Sequence, residues 1–197
     1  MKGRVTSQKL RDNQLSNPRT CQRANLVEAM MTFALKLLHP DAVPRALAKA
    51  ERYRLLNEPG QAESICRDVL EVDASNQEAL TMLLLALTEQ FADDLRPFGE
   101  AARIAGQLQD PYDRAYYAGI VWERRATAHL QHDGPVLGPQ MYDWLREAMG
   151  WFERAEAIRP AGNDDSLLRW NACARTVMRD HRLVPATEER AEPLLLE

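Results

Sequence analysis

The chain has 197 residues, 45% of them hydrophobic and 27% charged, with a formal net charge of −4; it can bury one full core or form a short repeat array. It lacks a run of roughly 18 apolar residues, so a membrane-spanning helix is not expected. Residues 1–30 carry Lys2, Arg4, Lys9, Arg11, Arg19 and Arg23 against Asp12 and Glu28, leaving an acidic remainder that argues against nucleic acid as the main partner.

Residues 1–24 have few apolar side chains and no periodicity, and read as a disordered basic tail. From residue 25 the pattern is helical almost throughout, and the domain is expected to span 25–182. A first helix is expected over 25–38, broad in its apolar face and broken by His39-Pro40. "VPRALAKAERYRLL" follows, with Pro44 at an early helix position, then "EPGQAESICRDVLEV", with Pro59 and Gly60 marking the turn before it. Next come "NQEALTMLLLALTEQF", "PFGEAARIAGQLQ", "DRAYYAGIVWERRATAHLQ", "PQMYDWLREAMGWFERAEAIR" and "DDSLLRWNACARTVMRD". Alternating β-branched runs do not occur, so the fold class is all-α. Short turns between helices imply antiparallel neighbours. Residues 183–197 form an acidic, proline-containing tail, read as flexible, whose Leu194, Leu195 and Leu196 offer an apolar docking element.

Within "EAMGWFERAEAIRP", Ala148, Phe152 and Ala155 share one helical face and Pro160 ends the helix. The spacing recurs at Ala62, Cys66, Val69 and Ala74, and more weakly at Ala101, Ala105 and Leu108. Upstream of these helices lies a second frame, best seen in Ala115, Ala118, Gly119 and Trp122. Leu80, Leu83, Leu84 and Leu87 occupy it too, and Ala50 and Tyr53 hold its last two places. Over residues 43–179 these positions resemble the tetratricopeptide repeat family, a helix–turn–helix unit of roughly 34 residues. The resemblance implies an antiparallel helix-hairpin α-solenoid of three units plus a capping helix over 164–179, with Asn163 as its N-cap. Small residues at Ala50, Ala62, Gly119 and Ala148 would let paired helices approach. Tyr53, Trp122 and Phe152 would fill the space between units.

Ala62 and Ala101 are 39 residues apart, and Ala101 and Ala148 are 47 apart, so the units are longer than the family's. The excess in the third unit reads as two helices lengthened by about two turns, a hairpin that should project beyond the stack. Four tryptophans, Trp122, Trp144, Trp151 and Trp170, fall in the C-terminal half. Trp122 and Trp170 read as core; Trp144 and Trp151 share a face that either covers the next helix or forms an exposed aromatic contact surface.

Catalysis has no positive signal: there is no phosphate-binding glycine loop, nucleophile elbow or separable carboxylate pair. His129, His132 and Asp133 could hold a metal, but no second cluster completes the site, and histidines near a helix C-terminus already suit its dipole. Neither metal nor cofactor is expected. Cys66 and Cys173 read as small core residues and Cys21 as incidental; three scattered cysteines favour a reducing compartment, and with no signal peptide the expected location is cytoplasmic. Beyond residue 30 the cations are arginines except Lys36 and Lys49, an association with bacterial proteins.

The family resemblance implies a concave groove lined by the first helix of each unit. Here that gives Leu47 and Glu51, then Glu78, Thr81 and Leu85, then Asp113, Tyr116 and Ile120, with Leu167 and Asn171 extending it. Some relatives clamp a peptide's terminal carboxylate with Lys, Asn and Arg, but these faces are apolar and acidic, so that mode is not expected. The implied function is a non-enzymatic protein-binding or scaffold module, taking a helix or extended peptide with apolar and basic residues. The alternatives are that the first helix covers these positions, or that the chain self-associates through helix 25–38 as a homo-oligomer.

Overall fold

A computed structural model describes residues 33–130 and 138–186. The chain divides into two units between Lys36 and Leu37. In the first unit the described residues, 33–36, are non-helical, with Phe33 and Leu35 exposed. The helix expected over 25–38 is therefore absent from its described part; residues 25–32 and the basic tail lie outside the described residues.

The second unit is all-helical where described. A short 3-10 helix, Pro40–Ala42, leads into α1 (Val43–Leu55), followed by α2 (Pro59–Val72), α3 (Gln77–Glu89), α4 (Phe98–Gln107), α5 (Pro111–Leu130), α6 (Gly138–Ala157) and α7 (Asp165–Arg179). Local chemistry sets these ends. Pro44 lies in the first turn of α1, where its missing N–H leaves no bond unmade. Asn76 caps α3, its Oδ1 accepting from the Ala79 N–H at 2.9 Å. The turn before α2 is made by Asn57, whose φ of 59° is left-handed; Pro59 and Gly60 already belong to the helix. α7 begins two residues after Asn163, whose Oδ1 accepts from the Asp165 N–H at 3.0 Å and the Tyr112 hydroxyl at 3.1 Å.

Each helix packs on the next in sequence, and α1 also touches α3, as α3 touches α5. One apolar core joins α1 to α5 through Ala50, Ala62, Cys66, Leu83, Leu84, Leu87, Ala101 and Ile104. A second joins α5 to α7 through Ile120, Met141, Leu145, Ala148, Phe152 and Cys173. α3 is apolar on most sides because it belongs to the layer between two neighbours, which accounts for its unbroken "MLLLAL".

α5 and α6 have 20 residues each against 13 in α1, matching the expected lengthening by about two turns. Their connection, 131–137, lies outside the described residues. The added turns are clothed from both sides. Phe91 and Leu95, from the 90–97 connection, join the core containing Ala128, while Leu183 closes over the core containing Ala126 and Met141. Leu183 is thus part of the fold, which reaches past the expected boundary at 182.

Candidate partner-binding groove

Helical period places Arg54 of α1 seven residues after Leu47, on the side that meets α3. Its guanidinium makes two bonds to Glu89, Nη2 to Oε1 at 2.6 Å and Nε to Oε2 at 3.1 Å. This fork fixes α1 to α3 and forms one wall of a depression of about 270 Å³. The rest of the lining is Gln77, Glu78, Thr81, Met82 and Leu85 from α3 and Asp113 from α5. Gln77 is held in place, its Oε1 accepting from the Gln109 N–H at 2.7 Å.

Four of the eight residues expected to line the groove, Glu78, Thr81, Leu85 and Asp113, meet at this depression. Glu51 is exposed on α1 outside it. Leu47 and Ile120 correct the expectation. Leu47, 3% exposed, packs with Val69 and Ala79, and Ile120, 1% exposed, lies in the second core, so neither offers surface to a partner. Tyr116 is half-buried, stacked on Tyr112 at 5.7 Å, edge-on to Tyr117 at 5.2 Å and 6.0 Å from Phe152. It is a structural neighbour of the groove more than an anchor in it. Leu167 and Asn171 are half-buried on α7.

The groove is acidic on balance. Arg54 is neutralised by Glu89, whereas Glu78 and Asp113 form no ion pair among the described residues. Burial, with the neighbouring Asp110 second, pushes the Asp113 carboxyl above its ordinary range. Burial, then Asp113, likewise raises the Tyr117 phenol. An incoming cation would relieve the Asp113 carboxylate, while Leu85 and Met82 supply apolar contact. Arg54, Gln77 and Met82 were missed by sequence reasoning. The 3.6-residue period carried from Leu47 through Glu51 would have reached Arg54 one turn later.

A second carboxylate lies between α5 and α7. Glu123 Oε1 accepts from Arg169 Nη1 at 3.2 Å, while the buried Oε2 has no hydrogen-bond partner. Desolvation raises this carboxyl above its ordinary range, opposed by Arg169 and Arg124.

Of the remaining sequence candidates, those described are packed into the fold. Burial pushes the thiols of Cys66 and Cys173 up to about 12, so both are held as neutral S–H groups. His129 packs its ring on Trp144, 5.0 Å between centroids; His132, Asp133 and Cys21 lie outside the described residues. Among the described residues, no group of three His, Cys, Asp or Glu side chains is arranged to hold a metal, and no helix is long and apolar enough to cross a membrane. Trp144 covers α5, with Arg125 4.3 Å over its ring, and Trp151 borders α5 residues Ala118 and Val121. Comparison with family models, with curated proteins and with solved structures finds no match for this chain.

Proposed function

We propose that this chain is a non-enzymatic binding module of the tetratricopeptide type: an antiparallel hairpin solenoid that takes a partner peptide or helix between α1, α3 and α5. The packing order supports the solenoid reading, because alternate helices touch in the pairs α1–α3 and α3–α5 as stacked hairpins require. The observation that carries the binding reading is the depression at Glu78, Thr81, Leu85 and Asp113, where unpaired carboxylates surround apolar side chains. Its partner would present Lys or Arg beside a leucine-sized or aromatic anchor.

The test is selection of random peptides displayed against the full chain, followed by competition with a Glu78→Lys/Asp113→Lys variant. Enrichment of basic-apolar peptides that bind the wild type and not the folded variant supports the groove. Peptides that bind both equally, or no enrichment, remove it. Self-association has its own support in Leu55, Leu56, Leu168 and Met178, all exposed on α1 and its end or on α7. A concentration-independent monomer in light scattering would exclude that reading.

A further inference from the structure

α4 and α6 both pack on α5 without packing extensively on each other. Between them lies a cleft of about 290 Å³, at the lower edge of small-molecule sites, which run to roughly 300–1,000 Å³, and so suited to one or two side chains. α4 presents only Ala102, Ala105 and Gly106, α5 supplies Ala118 and Trp122, and Trp151 of α6 walls the far side. These small and aromatic surfaces are apolar, and they lie on the side of α5 away from Asp113 and Tyr116. Arg114 borders the cleft and the Arg154 guanidinium sits 4.3 Å over the Trp151 ring, while Glu147 Oε1 accepts from the Trp151 indole N–H at 3.0 Å, so two arginines outweigh one carboxylate and the rim is basic on balance.

We propose that the tail of the same chain docks here through Leu194, Leu195 and Leu196, one or two of which seat in the cleft. The complementarity is of two kinds: three consecutive leucines face an aromatic-walled hollow, and Glu188, Glu189, Glu192 and Glu197 outnumber Arg190 opposite a basic rim. The reach is sufficient. Leu183 is anchored in the second core, and the neighbouring Arg182 carbonyl lies against Gly138 at the start of α6. Trp151, 13 residues along α6 from Gly138, is about 20 Å away at 1.5 Å per residue. Leu194 follows Leu183 by 11 residues, a span of up to about 36 Å. Docking therefore covers an apolar hollow of the fold without stretching the chain. A partner carrying a similar acidic, leucine-rich segment would have to displace the tail.

The test is solution NMR of the indole N–H signals of the full chain, with the Leu194→Ser/Leu195→Ser/Leu196→Ser variant beside it. The Trp122 and Trp151 signals move in the variant while Trp144 stays. A synthetic peptide of residues 187–197 added to the variant returns them to the wild-type positions. Gly106→Leu, which fills the cleft where a Cβ meets nothing within 4 Å, reproduces the movement with the tail intact. Unmoved Trp122 and Trp151 signals in the leucine variant overturn the proposal. Wild-type signals that drift to the variant's positions on dilution overturn docking within one chain and assign the cleft to the tail of a second copy.

Discussion

Phe152 of α6 lies against the bare backbone of Gly119 in α5, so closely that a Cβ placed on the glycine would sit 2.5 Å from the phenyl ring. Phe152 is fully buried, so the ring has no open side to move toward. The aromatic residue expected to fill the gap between units instead closes the inside of its own hairpin, and the glycine opposite makes room for it. Gly119→Ala forces either the ring or the helices apart and destabilises by about 1–3 kcal/mol, the usual range for overpacking. Phe152→Leu costs stability alone but recovers part of the loss in the Gly119→Ala background. Urea unfolding of the four proteins in a double-mutant cycle measures this; strictly additive effects would show that the pair does not act through contact.

Two carboxylates give the chain opposite responses to acid. Glu100 on α4 accepts two bonds from Arg67 of α2, at 2.9 and 2.8 Å, and that pairing holds its pKa below the ordinary range. A lowered folded-state pKa adds stability above the unfolded value, about 4.3 for glutamate, and loses it as pH falls through the folded value. Glu123 is the reverse: raised by burial, it favours the fold in its protonated form, and that contribution disappears as pH rises through the elevated value. Thermal unfolding against pH is expected to show Glu100→Gln destabilised at neutral pH, with the difference closing in acid. Glu123→Gln is expected to flatten the decline from mildly acidic to neutral pH. A Glu123→Gln profile parallel to wild type would refute the burial effect.

The seven α-helices among the described residues were legible because each carries its own apolar period and a recognisable start or stop, as in Pro44, Asn76 and the break at Pro160. The buried faces were legible for the same reason: Ala50, Ala62, Ala148 and Phe152 are each fully buried. Position on a helix did not reveal which of several neighbours a side chain would meet. Leu47 and Ile120 sit on the same helical strip as groove residues, yet α2 with α3, and α6 with α7, close over them. The clothing of the long hairpin was equally hidden, since Phe91 and Leu183 lie in irregular segments where periodicity gives no signal. Residues 33–38, the described part of the helix expected over 25–38, show the limit from the other side, for their apolar side chains alone did not fix a helix there.

The buried thiols make a direct chemical prediction. Cys66 and Cys173, fully enclosed and with pKa values pushed up to about 12, present almost no thiolate near neutrality. In a Cys21→Ser chain, iodoacetamide at neutral pH is expected to leave both unmodified until denaturant unfolds the protein. Mass spectrometry before and after denaturation gives the answer. Rapid labelling of the folded chain at either position would show local opening of α2 or α7.

Tyr116 and Glu78 separate a structural side chain from a binding one. Tyr116 is wedged among Tyr112, Tyr117 and Phe152, so Tyr116→Glu places a charge within the aromatic group and is expected to lose helical structure or lower Tm. Its effect on binding would then report folding alone. Glu78 is exposed in the first turn of α3, and Glu78→Lys is expected to cost under about 1 kcal/mol, chiefly through the helix dipole. Binding of a basic peptide should nevertheless weaken, because one of the two unpaired carboxylates lining the groove has reversed sign. Circular dichroism and peptide titration on both variants distinguish the cases. A Glu78→Lys chain that folds normally and binds the basic peptide unchanged would show that the acidic groove is not where the peptide sits.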